Sequence, residues 1–199
     1  MTLSLPSLGK AFLVLGTVAA LSAPLAVFAQ DNEYTAPLTE LANGKLKEIA
    51  QDPTIVAAIE AQNAVTGAYD QAKIDELDTQ WRAEMSAAAK PLIDATLGND
   101  ASKALLAAQE ASAGLFTEIF VMDAKGLNVG QSGVTSDYWQ GDEDKWSQTY
   151  SVGAGAVHLG EIEQDESTQA FQSQVSITIV DASGKPIGAI TAGVDLAAL

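Results

Sequence analysis

The chain has 199 residues, 26 acidic against 10 basic side chains and a formal net charge of −16 at neutral pH, with no cysteine. Such a surface repels nucleic acid and anionic lipid headgroups. The lack of cysteine rules out thiolate catalysis, disulfides and a lipid anchor on a mature N-terminal cysteine.

Residues 1–29 have the pattern of a secretory signal peptide. Lys10 and the amino group give a positive start, and AFLVLGTVAALSAPLAVF over residues 11–28 is uncharged. The run closes on Val27-Phe28-Ala29, so cleavage is expected between Ala29 and Gln30. The rival reading is an uncleaved anchor, since a membrane span needs about 20 apolar residues and this run is only marginally long enough. Cleavage leaves 170 residues and a net charge of −17. That length builds a good core without disulfide staples, so the missing cysteine does not argue against export.

The mature chain divides by texture. Residues 30–113 form a helical half rich in Ala, Leu, Gln, Glu and Lys. Helices are expected at about 37–51, 53–64, 71–88 and 101–112, the second started by Asp52-Pro53 and the last by Asn99 or Asp100. Ile74, Leu77, Trp81 and Met85 mark one face of the third. Residues 114–199 read as strands. Ile119 and Val121 alternate with Phe120 and Met122, which predicts a strand covered on both sides. Phe171, Val175, Ile177 and Ile179 alternate with Gln172, Gln174, Ser176 and Thr178, which predicts one wet face. Residues 186–196 make a last strand, where Gly188 and Gly193 suggest a bulge or a close backbone approach.

An internal echo pairs Asp123-Ala124-Lys125-Gly126 with Asp181-Ala182-Ser183-Gly184. In each, Asp bonds the backbone two residues on and Gly takes the left-handed exit, so both are hairpin turns and both aspartates are structural. Two hairpins imply an antiparallel sheet of about five strands against the helical half, an α+β fold. Between the strands lies Ser136-Asp137-Tyr138-Trp139-Gln140-Gly141-Asp142-Glu143-Asp144-Lys145-Trp146. A short helix start explains its acids. Its aromatics either plug the edge of the core or line a pocket.

These residues resemble a family. The runs Glu118–Asp123, Lys125-Gly126, Thr135–Glu143 and Trp146 resemble the bacterial extracytoplasmic Cache (PDC) sensor domains. So do Ile74–Trp81 and the closing hairpin Asp181–Ile190, and the resemblance covers about 35–196. It implies one Cache domain, a PAS-like antiparallel sheet behind N-terminal helices, that binds a small molecule outside the cytoplasm without turning it over. Carried over, the ligand residues are Asp137, Tyr138, Trp139 and Trp146, with Tyr150 and Asp165 at the margin. No cofactor or metal is implied. Membrane-bound relatives continue into a transmembrane helix and an output module, whereas this chain stops at Leu199. The expected role is therefore a stand-alone periplasmic binder working through a membrane sensor kinase, chemoreceptor or transporter subunit, with a homodimer through the helical half.

Two other classes compete with this reading. A hydrolase would need partners for His158, the only histidine, and no Gly-x-Ser-x-Gly elbow or His-Glu-x-x-His motif is present. His158 reads as a structural or pocket-edge residue. The acidic loop suits Ca²⁺ by ligand type but not by spacing. A plain interaction or dimerisation protein would use the helical half as its arm. The only arginine is Arg82, and Lys145 and Lys185 are the only cations after Leu127, so a neutral or amine-bearing ligand fits better than a dicarboxylate.

Overall fold

The computed structural model describes residues 33–164 and 170–199, which belong to a single compact unit. The expected cleavage position lies outside the described residues. Among the described residues no helix is long and apolar enough to cross a membrane.

The chain opens with α1 (Thr35–Leu41), which passes through a π-turn (Ala42–Leu46) into α2 (Lys47–Ala50). Asp52 accepts from the Thr54 amide and Pro53 takes the first position of α3 (Pro53–Thr66), the start expected from the sequence. Helix α4 (Gln71–Glu84) is capped by Asp70 and buries Ile74 and Trp81. It stops four residues short of the expected end, and Met85 stands exposed beyond it. At that end Glu84 accepts from Gln80 of its own helix through one oxygen and from the amides of Leu92 and Ile93 through the other, at 2.9 and 3.0 Å. Those amides open α5 (Pro91–Gly98), a helix the sequence reading omitted. Burial opposes ionisation of Glu84, but hydrogen bonds from Gln80, Ile93 and Leu92 outweigh it and hold the carboxyl below its ordinary value. Asn99 caps α6 (Asp100–Ala111) through the Ser102 amide.

Six strands follow: β1 (Phe116–Asp123), β2 (Asn128–Gln131), β3 (Val157–Leu159), β4 (Glu163–Gln164), β5 (Phe171–Val180) and β6 (Pro186–Asp195). All pair antiparallel in the order β2-β1-β6-β5-β3, with β4 beside β5. Helix α7 (Asp144–Ser147) lies between β2 and β3. The protein is thus an α+β fold with an antiparallel sheet against N-terminal helices, and both Asp-Ala-x-Gly turns close hairpins. Of the two expected features, Gly188 has the close backbone approach, a Cβ there sitting 2.1 Å from the Met122 carbonyl, while Gly193 lies opposite a β-bulge between Phe116 and Glu118 and faces the Thr117 side chain.

The two sheet faces differ. On the helix face, Ile119, Val121, Val175, Ile177, Ile179, Ile190 and Val194 pack against Leu38, Leu46, Ile55, Ile59 and Leu105. On the outer face, Phe120, Met122 and Ala189 pack under Trp146 and Tyr150. This corrects the expected wet face of β5. Ser176 and Thr191 are fully buried there, 2.9 Å apart and hydrogen-bonded to each other, beneath the segment that joins β2 to β3. Phe171 departs in the other direction: it lies in step with the apolar residues of β5 but is exposed.

Candidate functional site

The turn after β1 anchors the outer face. One oxygen of the fully buried Asp123 accepts from the amides of Lys125 and Leu127, at 2.8 and 3.0 Å. The other accepts from Gln62 Nε2 at 3.0 Å and Thr66 Oγ1 at 2.7 Å, both on α3. Gly126 takes the left-handed exit at φ 81°, and a Cβ there would sit 2.4 Å from Gly141 Cα. The carbonyls of this turn receive both loop tryptophans: Trp139 Nε1 donates to Lys125 O at 2.9 Å, and Trp146 Nε1 to Asp123 O at 3.0 Å. The segment that covers the sheet is therefore pinned at two indoles.

The six residues expected to bind ligand separate. Tyr138 is buried and stacks on Trp81 of α4, ring centroids 5.2 Å apart. Burial pushes its hydroxyl pKa well up. Trp139 packs at the margin of the same cluster of Ile74, Trp81, Ile93 and Leu127. Asp78 accepts from the amides of both Tyr138 and Trp139. Asp137 pairs with Arg82 at 3.3 Å, so the only arginine is committed to Asp78 and Asp137. Trp146 and Tyr150 belong to the outer face, stacked with centroids 5.1 Å apart. Burial, and after it the charge of Asp123, raises the Tyr150 pKa. Asp165 lies outside the described residues.

A polar chain joins the first group to a cavity. Gln140 Nε2 donates to the Asp137 side chain, Lys145 Nζ donates to Gln140 Oε1 at 3.2 Å, and Lys145 pairs with Glu143 at 2.8 Å. The same ammonium lies 5.5 Å from the centre of the Phe120 ring. Lys145 and Glu143 form part of the wall of a cavity of about 230 Å³ on the outer face. Its floor is Glu118, Gln172, Gln174 and Gly193 from β1, β5 and β6, and its far wall is Gly160, Glu161 and Glu163. Gln174 Nε2 holds Glu118 Oε1 at 3.0 Å. Four glutamates thus face one lysine, and that lysine is already paired. The sequence reading gave none of these residues a ligand role. The signal that could have found them is the Gln172-x-Gln174 alternation, read as wet, together with Glu161-x-Glu163 just before Asp165.

Beside the cavity, His158 on β3 pairs in register with Ser176. Burial lowers its pKa, opposed by the nearby Asp144 and reinforced by Lys145. Among the described residues, no group of three or more His, Asp or Glu side chains is arranged to hold a metal. Three buried side-chain atoms there meet no partner: Asn128 Oδ1, Gln131 Nε2 and Thr178 Oγ1. The first two lie under the covering segment, where Thr135 bridges Asn128 and Gln131.

No protein-family model matches the chain, and no curated protein does. Among solved structures, it is similar to the ligand-binding domain of the Pseudomonas aeruginosa amino acid chemoreceptor PctC in complex with GABA. That match has 12% identity and a TM-score of 0.40 over 76% of this chain and 60% of that one. It is also similar to the ligand-binding domain of the Pseudomonas fluorescens chemoreceptor CtaA in complex with L-alanine, at 17% identity and TM-score 0.37 over 79% and 61%. A third is the sensor domain of the Vibrio cholerae histidine kinase DctB, at 15% identity and TM-score 0.34 over 84% and 59%. The chain spans about three fifths of the length of each of these structures.

Proposed function

We propose that this protein is an extracytoplasmic sensory domain that binds a small amine-bearing molecule on the outer face of its sheet. The observation that carries the reading is the cavity between β1, β5, β6 and the α7 segment, with Glu118, Glu143, Glu161 and Glu163 around Lys145. The site is concave and its lining is almost wholly polar, so it suits a small, strongly polar molecule rather than an apolar one. Its surplus of carboxylates favours a cationic nitrogen and disfavours dicarboxylates. The resemblance of the sequence to Cache domains supports binding without turnover. Trp146 and Tyr150 pack over Phe120 and Met122 rather than in the cavity lining, so they meet the ligand through Lys145; Asp137 acts at one remove, through Gln140 and Lys145. Tyr138 and Trp139 brace the covering segment.

A panel of amino acids, polyamines and quaternary amines, with neutral and dicarboxylic counterparts, tests this by thermal shift. A true ligand at a hundred times its Kd stabilises the fold by about 2.7 kcal/mol. Discrete amine hits are expected, each quenching or shifting tryptophan emission through Trp146, and each weakened about tenfold by Glu118→Gln, which removes one charge facing the ligand. Absence of any hit, or hits that bind Glu118→Gln unchanged, would sink the assignment. Hits that are chemically turned over would make it a hydrolase instead.

The signal-peptide pattern supports a periplasmic location, and in this reading occupancy is read by a membrane sensor kinase, chemoreceptor or transporter subunit. Such a readout requires the ligand to favour one of two states of the domain, and coupling of about 1–3 kcal/mol suffices. Mass spectrometry of the secreted protein should find Gln30 at the mature N-terminus. Intact Met1 in the membrane fraction would refute export with cleavage.

A further inference from the structure

A second cavity, of about 190 Å³, lies on the helix face and shares no lining residue with the first. It sits where the π-turn and α2 cross the edge of β5. Strand β3 pairs only with Val175–Ile177, and past that point Thr178 keeps a single bond from its amide to Ala156 O. The walls are apolar, chiefly Ala42, Ala50, Val157, Ile177 and Ile179. The π-turn widens the helix at Ala42 and Asn43, where it meets this space. Single π-turns inside α-helices occur frequently at functional sites.

The charges around it are unusual for this protein. Among the described residues, most cations are already engaged. Lys73, Arg82, Lys103 and Lys145 are in ion pairs. Lys90 and Lys125 bond carbonyls, and Lys45 lies over the Phe116 ring. Lys47 and Lys185 make no ion pair, side-chain hydrogen bond or ring contact. Lys47 lines the cavity, and Lys185 follows Gly184, which also lines it. An apolar chamber with a free ammonium group at its rim, that of Lys47, suits a carboxylate with an apolar body. An apolar cavity of about 150 Å³ takes up benzene, so this one fits a short acyl chain or a single ring.

We infer that the cavity between the π-turn and the β5 edge is a binding site for a small amphiphilic monocarboxylate. This preference is opposite in sign to that of the outer-face site, and the two sites stand or fall separately. The test is an NMR titration of the purified protein with hexanoate, hexan-1-ol and hexylamine. Hexanoate should give saturable amide shifts centred on residues 42–51 and 177–184. Lys47→Glu should weaken hexanoate about tenfold through charge reversal at an exposed position, and leave hexan-1-ol unchanged. Ala156→Leu, at a half-exposed position on the rim, should exclude both. The proposal is overturned if millimolar hexanoate gives no saturable shifts, if hexylamine binds as well as hexanoate, or if the shifts centre on Glu118 and Trp146.

Discussion

Asp123→Ala should lower the stability of the protein by about 3–5 kcal/mol, the range for breaking a buried hydrogen-bond network. The side chain is fully buried and accepts four hydrogen bonds. Its removal strands two turn amides, the Gln62 amide group and the Thr66 hydroxyl. None of these is free to turn to bulk water without moving α3 from the turn. The urea midpoint should then fall by about 2 M at an unchanged slope of roughly 2 kcal/mol per molar. Asp123→Asn keeps an oxygen for the Lys125 and Leu127 amides but sets its own amide against Gln62 Nε2, so its loss should be smaller. Because the carbonyls of this turn hold Trp139 and Trp146, the Ala variant should also shift tryptophan emission to the red before global unfolding. A midpoint that moves by less than half the expected amount, with emission unchanged, would remove Asp123 from its place as anchor of the outer face.

The same residue shows how much was legible in the sequence. The half of its bonding that makes the turn is local, from Asp123 to Lys125 and Leu127, and Asp-Ala-x-Gly announces it. The other half reaches back more than fifty residues to Gln62 and Thr66, and no spacing rule encodes that. Helix α5 was missed for a similar reason: its first amides are capped by Glu84 of the preceding helix rather than by a neighbour. The alternation along β5 correctly gave a strand with two unlike faces. It could not say that Ser176 would be covered, because period two reports a difference between faces and not what lies over each. The loop aromatics read equally as plug or pocket wall. Tyr138 found Trp81 and became a plug, while Trp146 found Phe120 and Met122 on the far face. The cavity itself was hidden because its acids come from three separate stretches of chain, around Glu118, Glu143 and Glu161-x-Glu163, and only folding assembles them.

Helix α4 reads the covering segment through one face, and Trp81→Ala should show it. Trp81 is fully buried, stacks on Tyr138 and donates its indole N–H to Thr135 O at 2.9 Å. One turn earlier, Asp78 accepts from the Tyr138 and Trp139 amides at 2.9 and 3.2 Å, and Arg82 next to Trp81 reaches Asp137. Truncating a buried tryptophan costs about 3–5 kcal/mol, a transfer loss plus the cavity left behind. Trp81→Phe keeps most of the packing and loses only the indole bond, at about 1 kcal/mol. The diagnostic is local. Hydrogen exchange at the Tyr138 and Trp139 amides should accelerate in Trp81→Ala well beyond the change in global stability, since Asp78 loses the packed wall that positions it. In Trp81→Phe the two amides should stay protected. If exchange at 138 and 139 merely tracks the global stability in both variants, α4 supplies core volume alone. The segment over the outer face would then be held chiefly by the Asp123 turn.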